Sequence, residues 1–175
     1  TKYMVNANTK RWRVEHAQVI DVNDLTQKRW NKIIPSVQPT HAISDHAWAE
    51  KRIGNRMTGA YAYASLLNAS GILALGTDFP VEDINPLHTF IAAVFRTDIN
   101  GLPANGFLTQ EAITRTQALL GMTRWAAYAG FEEQDRGSLE PGNRADFILS
   151  AVDLLQDTEA QIRQFKVHST YIHGK

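Results

Sequence analysis

Three apolar segments in fixed order, each ending in a polar group, constrain this chain more than anything else in it. Arg13-Val14-Glu15-His16-Ala17-Gln18 comes first, then Pro35-Ser36-Val37-Gln38-Pro39-Thr40-His41, then Leu75-Gly76-Thr77-Asp78-Phe79-Pro80-Val81. Each reads as a strand that delivers, at its C-terminal end, a group able to bind a metal, a proton or a substrate. Helix-length stretches separate them, and strand–helix alternation favours a parallel sheet with helices packed against it. β/α barrels build their active sites at that end of their strands. The chain has 175 residues, whereas a closed eight-stranded barrel needs roughly 250. The order predicts the last part of such a barrel.

The local signals fill in this outline. Residues 11–19 read as a strand with His16 in its middle. Asp21 or Asn23 can cap a helix to about Lys32, burying Leu25 and Trp30. Ile33 to Val37 is almost wholly apolar, as expected of a strand covered on both faces. Ser44 or Asp45 is placed to cap a helix that Gly54 ends, which leaves His41 on a loop. A small-residue helix over 60–69 stops at Gly71, and Ile72 to Thr77 is the clearest buried strand. Asn85 followed by Pro86 opens a helix to about Arg96, and three Gly/Pro breakers make 98–107 a loop. Thr109 opens a helix to about Leu120, and Thr123 caps the next, to about Ala129. Beyond Gly130 the texture changes to turns, with strands expected over 145–150 and 167–172 and a short helix over 158–165. Two units follow: residues 1–130 and a small β appendage, 131–175.

Composition narrows the chemistry. Apolar residues make up 43% and charged residues 21%, which fits a packed globular chain. The formal charge is zero, so no electrostatic footprint for nucleic acid or an anionic membrane is present. No apolar run reaches the length of a membrane-spanning helix. There is no cysteine, so a metal would have to sit on histidines and carboxylates. Thr1 to Lys10 is polar, lacks the apolar stretch of a signal peptide and has no initiator Met. Missing upstream sequence is therefore expected, Thr1 reads as a truncation scar in preference to a nucleophile, and a cytoplasmic location is the working expectation.

Asp78 is the strongest candidate. A carboxylate at the mouth of a buried strand needs a metal, a cation or several hydrogen bonds, unless it merely caps a helix starting at Phe79. His16 would face opposite to Glu15 in a strand, and a lone histidine there suits either a ligand or a satisfied core position. His41 is suited to substrate contact or to an ordinary loop position. His41 and His46 are five apart and do not share a helix face as two ligands would. His88, His168 and His173 read as structural or surface residues. Glu82 reads as a capping or surface residue. No phosphate-binding glycine loop and no Gly-x-Ser-x-Gly elbow occurs.

Taken together, the segments resemble the C-terminal part of a metal-dependent amidohydrolase, closest to the amidohydrolase-3 or YtcJ-like group. Arg13–Gln18 resembles that family's sixth barrel strand, Pro35–Asp45 its seventh and Gly76–Glu82 its eighth. Gly137-Ser138-Leu139-Glu140-Pro141-Gly142-Asn143-Arg144-Ala145-Asp146-Phe147 resembles the chain's return to the family's small β-sandwich. The fold class implied is α/β: the C-terminal portion of a (β/α)8 TIM barrel, strands six to eight with their helices, plus the C-terminal strands of the sandwich. The resemblance makes His16 and Asp78 metal ligands, Asp78 the catalytic base, and Gln38 and His41 substrate-binding. It implies a divalent metal, zinc foremost, in the complete enzyme, with none required to be bound by this chain alone, and hydrolysis of a C–N bond in a small amide, formamide or cyclic amide. The family's ligands from earlier strands have no counterpart here, so the chain alone is expected to be inactive. It would need the missing N-terminal barrel half or a homo-oligomeric partner. The alternative is a non-catalytic half-barrel that serves as a structural or assembly module.

Overall fold

The computed structural model describes residues 10–175; the expectations about Thr1 to Thr9 lie outside the described residues. Three parallel strands form the first sheet in the order β1 (Trp12–Glu15), β2 (Ile33–Val37), β3 (Ala74–Leu75). The register runs from Trp12 opposite Ile33 to Glu15 opposite Ser36, and from Ser36 opposite Ala74 to Val37 opposite Leu75. All three strands therefore point their C-terminal ends the same way. β2 matches the sequence expectation in full, although Pro35 stands in its centre. The Val37 carbonyl accepts from Gly76 N on the β3 side, and Pro35, two residues earlier, faces the same side. Its missing N–H falls before β3 begins, so no ladder bond is forfeited.

The helices fit the sequence reading less evenly. α1 is a single turn, Val22–Leu25, capped by the Asp21 side chain, and a separate 3-10 segment, Lys28–Lys32, follows. The expected continuous helix is split in two; Trp30 is buried as expected, 5% exposed, and donates its indole N–H to the Asp24 carbonyl at 2.8 Å. α2 (Pro39–Asp45) starts at once after β2, with Pro39 in the first turn. His41 is thus helical and not on a loop, since proline pre-sets the φ of a first helical turn. α3 (Ala49–Ile53) ends at Gly54, φ 54°, and α4 (Tyr63–Ser70) at the left-handed Gly71. α5 (Pro86–Phe95) is capped by the Asn85 side chain, as expected. α6 (Arg115–Met122) begins at Thr114, not Thr109: Thr114 and Gln117 form a reciprocal capping box. α7 is Arg124–Ala129.

These helices cover the sheet around Ile34, Val37, Leu66, Leu73, Phe90 and Ile91, all buried. α6 lies so close to β3 that a Cβ on Gly121 would stand 2.7 Å from Leu75 Cγ and 2.9 Å from the Leu73 carbonyl. β1 is barely covered, and Trp12 is 70% exposed.

The last stretch pairs β4 (Phe147–Leu149) with β5 (Ser169–Tyr171) in an antiparallel ribbon, with the Phe147 and Tyr171 rings stacked at 4.6 Å. Between them α8 (Glu159–Ile162), capped by Thr158, drives Ile162 into the main core. Arg163 donates to Thr97 Oγ1 at 2.7 Å and to the Asp98 carbonyl, tying this stretch to the end of α5.

Candidate metal centre

The two outer strands end in the same backbone device. β1 stops at Glu15, not at Val19: His16 N still donates to the Ser36 carbonyl at 2.8 Å, but His16 takes φ 65° and Ala17 φ 41°. After β3, Gly76 N donates to the Val37 carbonyl at 3.1 Å, and two residues on Asp78 takes φ 57°. Left-handed backbone costs a non-glycine residue of order 1 kcal/mol and persists where the surroundings over-determine it, commonly at functional sites. Here it turns both side chains off their strand ends and toward each other.

The third member comes from α2. Because the helix begins at Pro39, His41 lies in its first turn, above the end of β2. Its ring stacks on His16 with centroids 5.6 Å apart and planes 19° from parallel. His41 Nε2 lies 3.6 Å from Asp78 Oδ2 and His16 Nδ1 lies 4.0 Å from the same oxygen. One ligand atom from each of His16, His41 and Asp78 falls within 4.8 Å of the others. These separations are too long for hydrogen bonds and are on the scale of atoms gathered around one ion. His16 and Asp78 were expected to meet; His41 joins them as a potential ligand.

Gln38 is buried, 8% exposed, and its Oε1 lies 2.9 Å from His16 Nδ1. The Nδ1 that meets Gln38 is also the nitrogen that lies 4.0 Å from Asp78 Oδ2, so Gln38 holds the imidazole where it faces Asp78. Two further groups escaped the sequence reading. Glu82 Oε1 lies 4.0 Å from His41 Nε2 and accepts a hydrogen bond from Ser44 Oγ at 2.7 Å. Asp45, one helical turn below His41, accepts from Gln18 Nε2 at 2.7 Å and from the Tyr61 hydroxyl at 2.8 Å. The i, i+4 spacing of His41 and Asp45 was the available signal. Tyr61 is 1% exposed, and burial pushes its phenol up to about 12. This network ties α2 to the segment just after His16. His46 bonds the Ile43 carbonyl, and His88 joins no metal-capable group among the described residues.

The donor set fits a divalent ion. It offers two imidazoles and a carboxylate, no thiolate, and a buried His41 Nε2 without a hydrogen-bond partner. Three such ligands with an open fourth position are the usual catalytic zinc pattern. None of the four sequence candidates lines the cavity of about 1220 Å³ bordered by Phe90, Leu119, Met122, Phe165, Tyr171 and Ile172.

The α/β fold has solved counterparts among metal-dependent hydrolases. An uncharacterized metal-dependent hydrolase from Pyrococcus furiosus superimposes with a TM-score of 0.63 at 31% identity, over 76% of this chain and 26% of that one. The sequence model of the Amidohydrolase family matches residues 4–175, and the chain belongs to that family. Protein LONG AFTER FAR-RED 3 of Arabidopsis thaliana is 34% identical over 171 residues, 95% of this chain and 28% of the relative. The Bacillus subtilis protein YtcJ, named as an amidohydrolase, is 28% identical over 96% of this chain and 32% of its own length. An N-substituted formamide deformylase of Arthrobacter pascens is 29% identical over 63% of this chain and 20% of the enzyme. The chain therefore spans a third or less of the curated relatives it matches.

Proposed function

We propose that this chain supplies strands six to eight of an amidohydrolase barrel, within residues 1–130, and through residues 131–175 the last strands of a small β-sandwich. The assembled protein hydrolyses a C–N bond in a small amide, formamide or cyclic amide. The observation that carries the reading is the convergence of His16 and Asp78 from the ends of β1 and β3.

His16 and Asp78 would hold a divalent metal, zinc foremost. Bound there, such an ion supplies a Lewis acid that polarises the carbonyl and acidifies water. The remaining work belongs to side chains. Asp78 Oδ2 takes the proton of the attacking water and returns it to the departing nitrogen as the C–N bond breaks. Gln38 orients His16 through Oε1 and keeps its amide nitrogen for the substrate. His41, at the mouth of the same group, faces the substrate's side. The formamide deformylase among the relatives supports a C–N bond as the target. The chain alone is inactive on this reading, because the substrate pocket needs the other strands.

Coexpression with a polypeptide carrying the first five strands of a family barrel tests this. Metal-dependent hydrolysis of N-substituted formamides or amides should appear, and Asp78→Asn should lower it by about a hundredfold or more. A folded, metal-loaded complex that hydrolyses none of them would instead favour a non-catalytic assembly module.

A further inference from the structure

We propose that His41 is itself a metal ligand, so that this chain holds a divalent ion with its own three residues, His16, His41 and Asp78. The inference rests on the reading that His16 and Asp78 bind metal, and extends it. Those two alone fall one short of the three protein ligands that a catalytic zinc site usually has.

Three observations point to His41. Its Nε2 is buried and bonded to nothing, although Asp78 Oδ2 at 3.6 Å and Glu82 Oε1 at 4.0 Å both face it. A buried polar atom without a partner is unfavourable, and a shared ion removes that cost for the nitrogen and the carboxylate together. Next, the near-parallel stack on His16 brings the two imidazoles to the same side of Asp78. Finally, the helix carrying His41 is held in place independently. Pro39 starts it, and Asp45 anchors it through Tyr61 and Gln18, the latter two residues beyond His16. The ligands are thus fixed relative to one another by parts of the fold that do not contact an ion. Glu82 becomes an orienting carboxylate, held by Ser44.

The test uses the intact 175-residue chain and Co²⁺ as probe, followed by calorimetry and by its visible absorption spectrum, with thermal unfolding in Zn²⁺ as a second readout. One ion should bind per chain and raise the unfolding temperature, since a ligand that binds only the folded state stabilises it. His41→Ala should lower Co²⁺ affinity by more than the roughly 10–100-fold that loss of an orienting residue produces, and should change the spectrum. Added imidazole should restore both. His46→Ala should bind like the wild type. Circular dichroism checks folding, and His41→Gln replaces His41→Ala if that variant misfolds. Unchanged affinity and spectrum in the His41 variant, with binding lost in His16→Ala and Asp78→Asn, would overturn this inference and leave the hydrolase reading intact. A wild-type chain that binds no Co²⁺ would also overturn it, and the coexpressed complex would then decide the hydrolase reading separately. Binding untouched by all three substitutions would remove both.

Discussion

His16 and Asp78 each follow a strand end by a left-handed residue, and that conformation decides where their side chains go. The sequence placed Asp78 just past a strand end, where it lies, but it read His16 as lying within a strand that in fact stops at Glu15. Alternation along a strand carries no sign of a φ of 65°. Gln38 was legible as a polar residue at a strand end, but not as the partner of His16 Nδ1, because that contact spans two strands. Its orienting role is open to measurement. Gln38→Ala should weaken divalent metal binding about 10–100-fold, read by competitive titration with a chelating dye; unaltered affinity would assign Gln38 to the substrate alone. Tyr61 gives a pH signature. Its phenol is raised to about 12 by burial, against about 10 when unfolded. The folded state thus favours the neutral form. The stability this provides is complete below about pH 10 and is lost as pH rises toward 12. Urea unfolding at pH 9 and pH 11 should show a smaller loss for Tyr61→Phe than for wild type. Tyr63, also raised by burial, contributes to the slope that remains.

At the scale of elements, the sequence was most legible where a local device acts alone. Asn85-Pro86 starts α5, Gly71 stops α4, and β2 spans its apolar run. It was least legible where long-range contacts choose between two local options. Both Ser44 and Pro39 can begin a helix, and the position of α2 over the strand end selects Pro39. Thr109 and Thr114 compete in the same way, and the capping box with Gln117 wins. The close approach of α6 to β3 predicts that Gly121→Ala costs about 1–3 kcal/mol, since the added methyl has no free space. Chemical denaturation measures this, and a neutral substitution would contradict the packing. The start of β1 is tied to the end of α7 by Arg11, which donates to Glu133 at 2.8 Å and lies over the Tyr128 ring at 3.8 Å. The Arg11 hydrogen bond holds the Glu133 carboxyl below its ordinary range. That contribution is present above the ordinary glutamate range and fades as pH falls through the depressed value. Glu133→Gln should therefore cost about 1–3 kcal/mol at pH 7, with the gap to wild type narrowing in acid unfolding.

The larger sheet has three parallel strands. Among the described residues, β1 and β3 each keep one edge unpaired, and Trp12 projects from β1 at 70% exposure. Val81, Ile84 and Leu139 are exposed as well. Open edges beside apolar side chains are templates for pairing with another chain. Sedimentation of the purified chain should give a mass above 19.6 kDa, and Trp12→Lys should shift it down; a strict monomer would show that the edges are self-protected. The α/β class and the order of the three functional strands could be read from apolar runs and their polar ends alone. What pairs with the outer edges of β1 and β3 could not, because no strand among the described residues does so. The central claim is that strand ends of this chain converge on a divalent metal. The most direct measurement is the zinc retained per chain after loading and exhaustive dialysis, by elemental analysis. The account predicts about one ion per chain, as for a single His/Asp site, and its loss in His16→Ala and in Asp78→Asn. Equal zinc in wild type and both variants, or none in a well-folded wild-type chain, would contradict it.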